Sequence, residues 1–103
     1  MTHLNTHTLA VDGELTVYRV HALKDEWLAA LATHAVLAID LVDVSEVDGA
    51  GLQLLLSARH EARLRGGSLC IAGHSAVTRE AVELAGLCME LGTDNAPAAE
   101  NAS

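Results

Sequence analysis

The chain alternates short apolar runs with longer amphipathic segments. Residues 8–11 and 14–20 have the alternating pattern of half-buried strands, and Asp12 and Gly13 between them form a dipeptide typical of a two-residue hairpin turn. Residues 35–42 are a nearly continuous apolar run, which is typical of a strand buried on both faces. Residues 68–72 form a further short apolar run. The pattern therefore predicts an antiparallel opening hairpin followed by two more strands.

Three longer segments have the apolar spacing of amphipathic helices, at residues 21–33, 50–65 and 76–86. Asp48 precedes the second helix and Ser75 precedes the third, and both residue types are preferred helix N-caps because their side-chain oxygens accept from free backbone N–H groups. The first segment has no good capping residue. Helices and strands thus alternate along most of the chain.

The resulting order predicts an α/β fold with a mixed sheet of four or five strands and helices packed on it. Residues 43–48 are expected to form a polar loop, and residues 89–91 a last short strand. Residues 92–103 are rich in Ala, Asn, Asp and Glu and contain Pro97, which favours a disordered C-terminal tail. We therefore expect one domain at residues 8–91, preceded by an N-terminal segment at residues 1–7.

The composition and charge of the chain disfavour some classes of partner. The 103 residues are 50% hydrophobic and carry a formal net charge of −8, which disfavours nucleic acid and anionic membrane surfaces as partners. The two cysteines are not in a CxxC arrangement, and neither a signal peptide nor a long apolar segment is evident. These features predict a cytoplasmic protein with reduced thiols, no direct membrane insertion, and a protein partner with a basic or mixed surface.

The sequence has no arrangement of residues that indicates catalysis or a cofactor. It contains no G-x-S-x-G, P-loop or G-x-G-x-x-G motif. Cys70 falls within a predicted strand and is expected to be a buried hydrophobe. Four carboxylates lie close together in the sequence, at Asp40, Asp43, Glu46 and Asp48. Their spacing is not that of an EF-hand loop, so we expect a solvated loop and no metal site. The sequence therefore predicts a binding protein and not an enzyme.

Residues 37–52, LAIDLVDVSEVDGAGL, resemble the signature of the STAS family, which takes its name from sulphate transporters and anti-sigma-factor antagonists. The signature consists of a buried strand, an acidic loop and a D-x-x-G-L turn that begins a helix. Residues 11–31 and 68–87 are similar to other parts of the same family. The resemblance implies a small protein-interaction domain without a cofactor.

The resemblance also implies where a partner binds. In sporulation-type members of the family, the residue after the signature aspartate is a phosphorylated Ser or Thr, and here that position is Gly49. Neither Gly49 nor Ala50 has a hydroxyl, so no phosphoacceptor is expected at this turn. We expect partner contacts on the surface formed by residues 45–56. The residues predicted to bind the partner are Ser45, Asp48, Gly49, Ala50, Gly51 and Gln53.

The partner itself is not determined by the sequence. A regulatory role implies a GHKL-type kinase-like or anti-sigma protein, or a chemotaxis component, in a bacterial cell. The alternative is a structural subunit that docks on the ATPase of a lipid-transport ABC complex of the Mla type. A purely structural interpretation of residues 49–51 is also open, because small residues permit a tight turn and close packing. The oligomeric state is not determined either.

Overall fold

The computed structural model describes residues 6–91 of the chain. Strands and helices alternate through this part, and a short fourth helix follows the third. In chain order the elements are β1 Thr6–Leu15, α1 Val20–Thr33, β2 Val36–Val47, α2 Gly49–Leu64, β3 Ser68–His74, α3 Ala76–Leu84 and α4 Cys88–Leu91. The predicted N-terminal segment lies outside the described residues up to residue 5, and the predicted C-terminal tail lies wholly outside them.

The described residues form a parallel sheet of three strands in the order β1-β2-β3, with β2 in the centre. Leu9 of β1 pairs with Ile39 of β2, which in turn pairs with Ile71 of β3. Parallel strands need a crossover connection, and α1 and α2 supply the two crossovers. The α/β architecture with helices packed on a sheet agrees with the prediction.

The predicted opening hairpin is wrong, and so is the mixed sheet of four or five strands. Asp12 and Gly13 lie inside the single strand β1, which runs parallel to β2. Gly13 has a φ of 76°, the left-handed conformation that also suits a hairpin turn. Here the pairing register shifts on both sides of this dipeptide, so the irregularity bends the strand without reversing it. The chain turns only at residues 16–19, where the amide of Arg19 donates to the carbonyl of Thr16 over 2.9 Å.

Two further predictions about strands are wrong. The predicted loop at residues 43–48 belongs to β2 as far as Val47, because the extended length of β1 provides a pairing partner for it. The predicted strand at residues 89–91 is the helix α4. There the amide of Leu91 donates to the carbonyl of Leu87 over 2.8 Å, and the Leu91 side chain is buried in the core.

The three predicted long helices are confirmed as elements, with small differences at their ends. Both predicted N-caps are observed. Asp48 accepts a hydrogen bond from the amide of Gly51, and Ser75 accepts one from the amide of Thr78 over 3.2 Å. These signals are local, since they depend on residues no more than one turn apart.

The hydrophobic core lies between one face of the sheet and the helices. Leu37, Ile39 and Leu41 of β2 are fully buried there, together with Trp27 of α1 and Leu55 of α2. The opposite face is exposed at the edge strands, where Thr8, Ala10, Cys70 and Ala72 are open to solvent. Burial of β2 on both faces was therefore predicted wrongly for part of the strand, since Val42 is 54% exposed. The predicted burial of Cys70 is wrong as well, because its position in β3 faces away from the helices.

Candidate functional site

Asp48 connects the carboxyl ends of β1 and β2 to the start of α2. Its Oδ1 accepts from the amide of Gly51, and its Oδ2 accepts from the amide of Val17, each over 3.0 Å. Its own amide donates to the carbonyl of Leu15 over 3.3 Å. A single carboxylate therefore caps α2 and also holds the turn at residues 16–19 against the beginning of that helix.

The same hydrogen bonds stabilise the ionised form of Asp48. Hydrogen bonds from the amides of Val17 and then Gly51 hold the pKa of Asp48 below its ordinary value, because both amides stabilise the carboxylate form. A negative charge at a helix N-terminus is also favoured by the helix dipole. Asp48 is thus an ionised structural cap at neutral pH.

The first turn of α2 presents small and polar residues outward. Gly49 and Gln53 are exposed, and Ala50 is half-buried. A Cβ built on Gly49 has no neighbour within 4 Å, so the surface above this residue is open. Because Gly49 and Gln53 are four residues apart, they lie on one side of the helix. Another protein backbone can approach α2 closely at this position.

Gly51 does not belong to the exposed surface, although it was predicted to contact a partner. It is buried, and a Cβ at this position would lie 2.0 Å from the carbonyl oxygen of Leu15. The absence of a side chain allows α2 to pack directly on the end of β1. The structural interpretation of the small residues therefore describes Gly51, whereas Gly49 is open to solvent.

Ser45 lies in a cleft beside this turn. The cleft has a volume of about 410 Å³ and includes Asp48. The Ser45 hydroxyl is exposed and donates to the carbonyl of Gly13 over 3.1 Å. Five of the six predicted residues thus lie at one end of the molecule, and they are Ser45, Asp48, Gly49, Ala50 and Gln53. We call these five residues, together with the turn at residues 16–19, the α2-entry surface.

The sequence did not identify Tyr18 as part of the site. Tyr18 lines the same cleft and is 89% exposed, and its neighbour Val17 is 53% exposed. Both were predicted to lie in a strand, because their apolar character continues the alternation of residues 14–20. No local feature of the sequence distinguishes a strand from a turn at residues 17 and 18. The hydrogen bond that holds the turn joins Val17 to Asp48, which lies 31 positions away in the chain.

The cleft is acidic, but the described residues do not form a metal site. Glu14, Glu46 and Asp48 line it. Within residues 6–91 no group of three or more His, Cys, Asp or Glu side chains is placed to hold a metal ion. None of the helices in this part of the chain has the length and apolarity that crossing a membrane requires. The charge of the cleft favours basic groups on whatever approaches it.

The fold and the site geometry are those of a small α/β domain with an exposed helix entry at one end of its sheet. The family model described as "Mlab, STAS domain" matches residues 2–91. The chain therefore belongs to this family of STAS domains. No protein among the curated sequences matches it.

Solved structures show the same fold at low sequence identity. An anti-sigma factor antagonist from Mycobacterium paratuberculosis is 22% identical, with a TM-score of 0.75 over 94% of this chain and 83% of that one. Unphosphorylated SpoIIAA, also an anti-sigma factor antagonist, is 20% identical, with a TM-score of 0.70 over 84% and 77%. A sulfate transporter family protein from Wolinella succinogenes is 20% identical, with a TM-score of 0.68 over 89% and 75%.

Proposed function

We propose that this STAS domain, at residues 8–91, acts by binding a partner protein and not by catalysis. The system would be a bacterial, cytoplasmic regulatory one, such as anti-sigma control or a chemotaxis-linked array. The partner would bind at the α2-entry surface. A GHKL-type kinase-like or anti-sigma protein is the partner class that this role implies.

The observation that carries the proposal is the double hydrogen bonding of Asp48. It holds the exposed start of α2 and the exposed Tyr18 turn in one rigid arrangement. Exposed aromatic side chains beside small residues are typical of interface centres, because the ring buries a large area with little loss of conformational freedom. An exposed Tyr on a pre-organised turn therefore supports a docking role.

Binding at this surface would not be controlled by phosphorylation of the signature turn. SpoIIAA has been solved in unphosphorylated and phosphorylated forms. Gly49 and Ala50 have no side-chain oxygen to accept a phosphoryl group. In our proposal the domain remains competent to bind, and any regulation is exerted through the partner.

The second candidate function is a structural subunit of an Mla-type lipid-transport ABC complex, docked on the ATPase. The description of the matching family model supports it. Such a subunit needs a stable docking surface and no phosphorylation switch, which suits Gly49 equally well. Both candidates use the α2-entry surface and differ in the partner.

Substitution Gly49→Asp tests the surface. The variant should fold as the parent does, because the position is open and the helix dipole favours a carboxylate there. Its affinity for the partner captured from native lysate should fall at least about tenfold, since the added side chain obstructs the close approach of a partner backbone that the open surface above Gly49 permits. Calorimetric titration measures the affinity, and circular dichroism checks the fold.

The matched control is Arg65→Ala, at the other end of α2, which should leave the affinity for the partner nearly unchanged. If folded Gly49→Asp protein bound as tightly as the parent, the proposed surface would have to be abandoned. Mass spectrometry of the captured partner separates the two candidate functions, because a kinase-like or anti-sigma protein and an ABC ATPase are distinct outcomes.

A further inference from the structure

The indole nitrogen of Trp27 is a buried donor without an acceptor. Trp27 is 1% exposed, and among the described residues its Nε1 is the buried side-chain polar atom that has no hydrogen-bond partner. Most buried donors in proteins are paired, because an unpaired one has lost its water without compensation. The indole N–H group is thus a hydrogen-bond donor that has no acceptor within the described part of the domain.

Trp27 lines a groove between α1 and α2. The groove has a volume of about 510 Å³, which lies within the range of small-molecule sites. Its apolar wall consists of Leu28, Leu54 and Ala58, next to the indole. The remaining lining residues are polar and are Lys24, Ser57, His60, Glu61 and Arg65. The groove therefore combines an apolar wall with a polar rim, as amphipathic ligands require.

The charges of the rim favour a ligand with a single negative charge. Arg65 is already paired with Glu61, with 2.9 Å between Nε and Oε2. Lys24 has no carboxylate partner among the described residues, and it is three positions before Trp27, which places both side chains on one side of α1. The carboxylate of Glu61 in the same groove opposes a doubly charged headgroup such as a phosphate monoester.

We propose that the α1–α2 groove binds a small amphipathic carboxylate. The apolar tail lies along Leu28, Leu54 and Ala58. The carboxylate accepts hydrogen bonds from the Trp27 indole and from Lys24. The indole nitrogen is shielded from solvent, so the carboxylate reaches it only when side chains of the groove wall move aside. This site is separate from the α2-entry surface and is independent of the proposed partner.

Trp27 is the only tryptophan of the chain, so its fluorescence reports directly on the groove. Decanoate, added below its micelle-forming concentration, should change this fluorescence in a saturable manner. Lys24→Gln should weaken the apparent affinity for decanoate at least about fivefold. The matched control Arg63→Gln removes the same charge from an exposed position of α2 outside the groove, and it should leave the affinity unchanged.

Decyltrimethylammonium, which has the same chain length and the opposite charge, should cause no saturable change. A saturable response to both compounds, or no response to decanoate, would overturn the proposal. So would equal effects of Lys24→Gln and Arg63→Gln.

The variant Trp27→Phe tests the indole donor separately. It retains an aromatic ring but has no N–H group, and thermal unfolding with and without decanoate measures binding without fluorescence. Decanoate should raise the Tm of the parent and should have no such effect on the variant. If Trp27→Phe folds and is stabilised by decanoate as much as the parent is, the indole has no part in binding. If the variant does not fold, the comparison of Lys24→Gln with Arg63→Gln decides the proposal.

Discussion

Gly49 and Gly51 are two residues apart in the sequence but have opposite environments. Gly49 is exposed with open space above it, whereas Gly51 is pressed against the end of β1. A Cβ at Gly51 would lie 2.8 Å from Cγ of Leu15, in addition to its contact with the Leu15 carbonyl. One glycine therefore keeps the surface accessible, and the other allows the helix to pack.

Alanine substitution should separate these two roles. Gly51→Ala should lower the free energy of unfolding by at least about 2 kcal/mol, because backbone atoms of Leu15 or α2 must move to admit the methyl group. Gly49→Ala should be neutral, or stabilising by up to about 1 kcal/mol, since alanine loses less entropy than glycine in a helix. Urea unfolding at pH 7.5 measures both variants, and equal effects would contradict the packing role of Gly51.

At the level of secondary structure elements, His74 joins the end of β3 to α3 and α4. Its Nδ1 is 3.3 Å from Oγ1 of Thr78, and its Nε2 is 3.4 Å from the carbonyl oxygen of Leu91. Desolvation by burial is the main cause that lowers the pKa of His74, and the positive charge of Arg79 lowers it further. The hydrogen bond to Leu91 acts in the opposite direction. The folded domain therefore favours the neutral imidazole at this junction.

The domain should become less stable as the pH falls through the range in which His74 takes up a proton. Because the pKa of His74 is lower in the folded domain than its ordinary value of 6.5, the unfolded chain binds the proton more readily. The stabilisation is complete above pH 6.5 and is lost as the pH falls through the folded pKa. The urea midpoint should accordingly drop between pH 7.5 and pH 5.5.

Replacement of the titrating group provides the comparison for this prediction. His74→Gln should have a smaller drop in urea midpoint than the parent, since glutamine does not titrate. His60→Gln, at an exposed position on α2, should retain the drop of the parent. An unchanged pH dependence in His74→Gln would show that the junction is not responsible.

For the whole molecule, the strongest feature is its negative charge. The formal net charge of −8 comes with an acidic cleft that opens beside Tyr18. Long-range electrostatic attraction between this negative charge and a positively charged partner mainly accelerates the encounter of the two proteins. Salt screens the attraction. The electrostatic field of the domain and its proposed docking surface therefore both favour a partner with basic groups.

The rate of partner association should depend on salt. An increase from about 0.05 M to about 0.5 M salt should slow association about tenfold and affect dissociation less. Glu46→Gln, in the cleft, should reduce this salt dependence more than Glu83→Gln on α3, although both remove one charge. Surface plasmon resonance with the captured partner measures both rates. Equal effects of the two substitutions would place the contact away from the cleft.

The sequence alone was sufficient for the features that depend on neighbouring residues. The three long helices and the caps Asp48 and Ser75 were predicted because helical hydrogen bonds and capping act within one turn. The resemblance of residues 37–52 to the STAS signature was confirmed by the family match. The lack of an acceptor hydroxyl at Gly49 is likewise a property of the sequence.

Only the tertiary structure decided the features that depend on distant partners. Asp12 and Gly13 suit a hairpin or a bulge equally well, and pairing with β2, about thirty residues away, selects the bulge. The exposure of Cys70 depends on which face of the sheet the helices cover. Gly51 is buried and Tyr18 exposed because β1 ends against the first turn of α2. These contacts join residues far apart in the chain, and no local pattern of hydrophobic and polar positions encodes them.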